Sequence, residues 1–178
     1  SSCIISTDVP LLFFWSVSLY LLVRNINGKS LSWSLLLGLA LGFGLLSKYA
    51  MAYFFICVLI SCIFFKDYRW VLKTWNGLVS TGTAGLILIP NIIWNIDRQW
   101  VTVTHVGDNV NLKAQLFNFQ NLTSFLGEQF GVFGPILFLT LIFLVFLFLR
   151  GKIEKRESWL LCFILPILFI VIVQSFIS

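Results

Sequence analysis

Long apolar stretches, broken by short polar clusters, dominate the chain. Val9–Val23 is the first, and the cluster Arg24-Asn25-Ile26-Asn27-Gly28-Lys29 closes it. Leu31–Phe65 follows, 35 residues interrupted only by Ser47-Lys48-Tyr49. Gly77–Trp94, Val132–Leu149 and Trp159–Ile177 complete the series. Runs of this length and apolarity are read as membrane-crossing helices, because a hydrocarbon core takes about 20 helical residues to span. The 35-residue run needs a decision. As one helix it would be about 52 Å long at ~1.5 Å per residue, well beyond a core of about 30 Å. It would also set Lys48 near the bilayer midplane, at a cost of about 2.5–3.5 kcal/mol. Folded as a hairpin, residues 31–46 out and 50–65 back, it carries Lys48 to an interface and removes both problems.

The pattern therefore predicts an all-α fold, a polytopic transmembrane helical bundle of about six crossings. These lie near residues 9–23, 31–46, 50–65, 77–95, 131–149 and 159–177. An outer loop over 96–130 joins the fourth and fifth. Within it, Leu112, Leu116, Phe119, Leu122, Phe125 and Leu126 recur at roughly helical spacing among Gln115, Asn118, Gln120, Asn121 and Ser124. That alternation predicts an interfacial helix over 112–126. Composition agrees with the class. Of 178 residues 59% are apolar or aromatic and only 11% charged, where soluble domains carry about a quarter charged. Four Cys without a CxxC pair argue against a disulfide framework or a zinc site. The pair Gly38 and Gly42, with Gly44 beyond it, predicts a face of close helix packing.

Charge adds an orientation. With six crossings, Arg24, Lys29, Lys66, Arg69, Lys73, Arg150, Lys152, Lys155 and Arg156 fall on one side, nine of the twelve basic residues. Lys48, Arg98 and Lys113 fall on the other. The positive-inside rule makes the first side cytoplasmic and both ends of the chain outer. The net charge of +5 is thus a topology signal. No Walker loop, dinucleotide fingerprint or basic stripe occurs, and no nucleic-acid partner is implied.

The outer side mixes signs: Asp8, Lys48, Asp97, Arg98, His105, Asp108, Lys113 and Glu128. Asp8, in Thr7-Asp8-Val9-Pro10, suits a helix start with Pro10 in the first turn. An interfacial carboxylate can also orient a polar substrate or hold a divalent metal, the one cofactor the chain leaves room for. Lys48 is either a snorkelling lysine at a helix end or a phosphate contact, since a cation in a tight turn between apolar helices suits a lipid-phosphate head group. Pro90 should loosen the helix that ends in Ile92-Ile93-Trp94-Asn95. Trp94 and Trp100 read as interfacial anchors. His105, the single histidine, makes no metal site by itself.

Four strings in register are similar to one family. They are Thr7-Asp8-Val9-Pro10-Leu11-Leu12-Phe13-Phe14-Trp15, Gly38-Leu39-Ala40-Leu41-Gly42 leading to Leu45-Leu46-Ser47-Lys48-Tyr49, Pro90 through Ile93-Trp94-Asn95 with Trp100, and Phe125-Leu126-Gly127-Glu128-Gln129-Phe130-Gly131-Val132-Phe133-Gly134-Pro135. Together they resemble bacterial family 39 glycosyltransferases, the protein-O-mannosyltransferase-like enzymes of the GT-C superfamily. The resemblance implies a GT-C-like membrane enzyme of the bacterial inner membrane. Such an enzyme moves a sugar from a polyprenyl-phosphate donor to an acceptor on the periplasmic face, with membrane lipids and that donor as partners. It implies substrate binding by Lys48 and Tyr49 of the Ser-Lys-Tyr motif and by Asp8 near the cavity, with Arg98 and His105 in the loop after the Trp-Asn motif. The family's catalytic carboxylate belongs to an earlier outer loop, expected upstream of residue 1. The chain is therefore expected to be the central part of a longer enzyme, inactive alone. Two other classes compete: a fragment of a transporter or flippase, and a non-catalytic membrane scaffold.

Overall fold

The computed structural model describes residues 8–28, 30–98, 100, 127, 131, 134–136, 139–148, 150–152 and 155–177. All regular structure among them is helical. The chain divides into two compact units, Ser1–Trp100 and Val101–Ser178.

The first unit is built on four apolar helices. Helix α1 is Asp8–Gly28, α2 is Leu31–Ser47 and α3 is Ala52–Phe64. A single turn, α4, occupies Trp70–Lys73, and α5 spans Trp75–Asp97. The long apolar run thus breaks at Lys48, whose backbone is extended at φ −160° and ψ 131°; a 3-10 turn over Tyr49–Met51 then starts α3. Two helices, over Asp8–Ile26 and Trp75–Asp97, meet the length and hydropathy of a full membrane span, while Leu31–Ser47 and Tyr49–Phe64 are shorter apolar helices.

Helix α2 lies between α1 and α5 and packs along both. Small residues make this possible. A Cβ built on Gly38 would lie 2.5 Å from the Ser80 carbonyl oxygen and 2.6 Å from Thr83 Cβ, and one on Gly42 would lie 2.7 Å from Ile87 Cδ1. The pairing of 38 with 80 and 83, then 42 with 87, sets α2 parallel to α5. In a bilayer, where burial from water is not available to drive helices together, such close approach is what holds them. Aromatic contacts supplement it: Phe14 stacks on Phe43 at 6.0 Å and Trp15 meets Phe54 edge-on at 5.0 Å. The outward flanks of α2 and α3 stay apolar, with Phe43, Leu46, Leu59, Ile63 and Phe64 exposed, as surfaces facing lipid require.

Helix α1 departs from the sequence pattern in one respect. It does not stop at Val23 but continues through Arg24 and Asn25 to Gly28. The polar residues find partners on α1 and α2, Arg24 at an exposed position and Asn25 in the interior. Arg24 lies over the rings of Tyr20 and Trp33, at 5.6 and 5.5 Å, and its Nε donates to Tyr20 Oη at 3.0 Å. Asn25 is fully buried. Its Nδ2 donates to the Leu21 carbonyl at 3.1 Å, and its Oδ1 accepts from Ser34 Oγ of α2 at 2.8 Å. Ser34→Ala is expected to strand that oxygen and to cost about 1–3 kcal/mol. A double change to Asn25→Leu and Ser34→Ala should recover most of the loss. Thermal unfolding in detergent distinguishes the two outcomes.

At the far end of α3, Arg69 donates to the carbonyls of Cys62 and Ile63, at 2.9 and 3.2 Å. It thereby satisfies the orphan acceptors of that helix end. Thr74 caps α5 by accepting from the Gly77 amide at 3.4 Å. Cys57 and Cys62 are buried inside α3.

In the second unit, residues 139–148 are helical and α6 spans Lys155–Ile177 with Pro166 inside it. Arg150 lies 4.2 Å over the Phe146 ring, and Trp159 meets Phe163 edge-on at 5.5 Å. The expected interfacial helix over 112–126 and most of the loop 96–130 lie outside the described residues.

Candidate functional site

The direction of each helix in the first unit decides which side chains meet. Because α1 runs opposite to α2, and α2 parallel to α5, the start of α1, the break after α2 and the end of α5 share one end of the unit. Asp8, Lys48, Tyr49, Asn91, Asn95, Asp97 and Arg98 occur there. Arg24, Lys66, Arg69 and Lys73 occupy the opposite end.

Asp8 opens α1, in the position where a carboxylate is favoured by the helix N-terminus. Lys48 Nζ donates to Asp8 Oδ1, an ion pair linking residues forty positions apart. Both side chains remain accessible, at 43% exposure for Lys48 and 55% for Asp8. A pair so open to solvent contributes about 0–1 kcal/mol to stability, so it does not by itself account for the fold. Its ammonium can be reached by an anion.

Next to it, Tyr49 Oη donates to Asn91 Oδ1 at 2.9 Å. Asn95, one turn on, donates through Nδ2 to the Asn91 carbonyl at 2.9 Å and to Asn91 Oδ1 at 3.1 Å, with Tyr49 Oη at 3.4 Å. Asn95 is 2% exposed, and its Oδ1 has no hydrogen-bond partner among the described residues. The network ties the turn that carries Lys48 to the last two turns of α5. Pro90 sits inside α5 one residue before it. There the missing N–H and the ring loosen the helix. Helix α5 then ends with the Trp100 amide donating back to the Asn95 carbonyl at 2.8 Å, and Trp100 takes a left-handed φ of 58°. Arg98 lies 5.5 Å over the Trp94 ring, which holds a second cation at this end.

Of the five candidate residues from the sequence, Asp8 and Lys48 are thus in direct contact, Tyr49 adjoins them in the chain and in the hydrogen-bond network, and Arg98 stands on the same end of the unit. His105 lies outside the described residues. Asn91 and Asn95 were not singled out as candidates. Their signal was two asparagines four apart on one face of the mostly apolar second half of α5, an expensive pairing in a membrane unless something satisfies it. As for a divalent metal, no group of three or more His, Cys, Asp or Glu side chains converges among the described residues. Asp8 also faces an ammonium, which is not the oxygen-rich shell that a hard cation requires.

Comparison with known proteins gives this arrangement its context. Residues 1–94, which contain α1 to α4, Asp8, Lys48, Tyr49 and Asn91, match the family described as dolichyl-phosphate-mannose-protein mannosyltransferase. The chain belongs to this family. Over 175 residues it is 28% identical to the lipid A galacturonosyltransferase RgtD of Rhizobium johnstonii, a match covering 98% of this chain and 37% of that protein. Over 84 residues it is 34% identical to the lipopolysaccharide core galacturonosyltransferase RgtA of the same organism, covering 47% of this chain and 17% of that protein. The chain therefore spans well under half the length of the relatives it matches. No solved structure matches it. Membership makes this a membrane protein of a glycosyltransferase family, in agreement with its apolar, all-helical build.

Proposed function

We propose that residues 1–178 form the donor-binding part of a membrane glycosyltransferase whose donor is a polyprenyl-phosphate-linked sugar. The observation that carries this reading is the accessible Lys48 ammonium, set at the end of the bundle beside Asp8 and tied through Tyr49 to Asn91 and Asn95 of α5. A lipid-linked donor presents its phosphate at the membrane surface, at the depth of a lysine that ends an apolar helix. An acceptor hydroxyl, losing its proton to a general base, attacks the anomeric carbon. The bond from that carbon to the phosphate oxygen breaks, and polyprenyl phosphate leaves. Lys48, with Arg98 at the same end of the unit, would neutralise the charge that gathers on the departing phosphate.

The same reading orients the protein. The end carrying Arg24, Lys66, Arg69 and Lys73 faces the cytoplasm by the positive-inside rule, and the Lys48 end faces the periplasm. The relatives are a lipid A galacturonosyltransferase and a lipopolysaccharide core galacturonosyltransferase, which makes a lipopolysaccharide-type acceptor the first to test for the whole enzyme.

The donor class is tested by equilibrium binding. The chain reconstituted in neutral-lipid nanodiscs is expected to bind a radiolabelled polyprenyl-phosphate sugar, and unlabelled polyprenyl-phosphate sugar should displace it. Displacement by nucleotide sugars alone, or no binding at all, would sink the proposal.

A further inference from the structure

A phosphate approaching Lys48 meets two charges, because the Asp8 carboxylate is held against the same ammonium and both groups are about half exposed. Taken together the pair is close to neutral. The end of α5 adds one charge of each sign, Asp97 and Arg98, and does not tilt that balance.

Two lipid phosphates would compete for this position in the proposed reaction. The sugar-bearing donor is a phosphodiester with one negative charge on its phosphate. The lipid left after transfer is a phosphate monoester, which carries about 1.5–2 negative charges near neutral pH. A lone lysine would favour the monoester, since attraction grows with ligand charge. That would retain the product and exclude fresh donor. A lysine with a carboxylate beside it behaves differently, because the second ligand charge is drawn to Lys48 and repelled by Asp8 across similar distances.

We infer that Asp8 is a selectivity residue: it removes the advantage of a doubly charged phosphate monoester over a singly charged phosphodiester at Lys48, and so favours exchange of spent lipid for donor. This rests on the reading of Lys48 as the phosphate contact. Asp8 acts here through its charge, with no bond made or broken.

The probes are farnesyl phosphate and its neutral-sugar phosphodiester, farnesyl phosphoryl glucose. Both are titrated at pH 8 onto the chain in nanodiscs of zwitterionic lipid. Wild type is expected to bind the two within a few-fold of each other. Asp8→Asn is expected to strengthen monoester binding about tenfold more than diester binding, a difference of about 1.4 kcal/mol. Asp8→Glu should keep the wild-type ratio. Equal gains for both probes on Asp8→Asn, or losses for both, would overturn the inference and leave Lys48 as a phosphate contact. A tenfold monoester preference in wild type would overturn it without any variant. Failure of both probes to bind, or binding unaffected by Lys48→Ala, would remove the phosphate reading itself and this inference with it.

Discussion

Lys48→Ala is expected to weaken binding of a polyprenyl-phosphate sugar about 10- to 100-fold while leaving the fold intact. A charge-assisted hydrogen bond to a phosphate contributes about 1.5–3 kcal/mol, and each 1.4 kcal/mol is tenfold in affinity. The structural cost of the change is small for reasons visible in the molecule. The lysine is 43% exposed, the turn it occupies has extended backbone that any residue adopts, and Tyr49 secures that turn to Asn91 independently. Binding and stability should therefore separate. Isothermal titration with the lipid-linked sugar reads the first, and thermal unfolding in detergent reads the second. Equal melting temperatures with a large loss of affinity are the expected result. Unchanged affinity would return Lys48 to the role of a snorkelling lysine at a helix end. Lys48→Arg is a useful companion, since it keeps the charge but changes hydrogen-bond geometry; it should recover part of the affinity.

Gly38→Ala is expected to destabilise the packing of α2 against α5. The added Cβ would lie 2.5 Å from the Ser80 carbonyl oxygen, a backbone atom that cannot rotate away, so α2 and α5 would have to separate. Overpacking of this kind costs about 1–3 kcal/mol. The expected measurement is a lower unfolding temperature in detergent. A control lies on α5 itself: a Cβ on Gly85 meets nothing within 4 Å. There alanine is the better helix former by about 1 kcal/mol, so Gly85→Ala should be neutral or stabilising. Similar behaviour of the two variants would show that α2 and α5 do not approach as described. Loss of this contact should also reach the site, because α5 carries Asn91 and Asn95 while α2 leads into Lys48.

The contrast between these residues shows why some of the site was legible beforehand. Lys48 and Asp8 stood out because a charge beside a long apolar run is conspicuous whatever surrounds it. The break at Lys48 followed from the thickness of a bilayer, a length that no single helix of 35 residues fits. Asn91 and Asn95 drew no attention as candidates, because an amide in an apolar helix acquires meaning only from what it reaches, here Tyr49 from another helix. The continuation of α1 beyond its apolar run was hidden for the same reason. Arg24 and Asn25 look like helix terminators in one dimension, yet Tyr20, Trp33 and Ser34 satisfy them in three.

By itself the sequence determined the class of molecule, the apolar segments and the uneven distribution of basic residues, since these depend on composition and on the dimensions of a membrane. It also marked Gly38 and Gly42 as a packing face. The tertiary structure alone decided which partner that face meets, how closely α2 and α5 approach, and that Asp8, forty residues from Lys48, is the carboxylate that pairs with it. Contacts between helices depend on their relative direction and rotation, and many arrangements share one hydropathy pattern. Only the packed bundle selects among them.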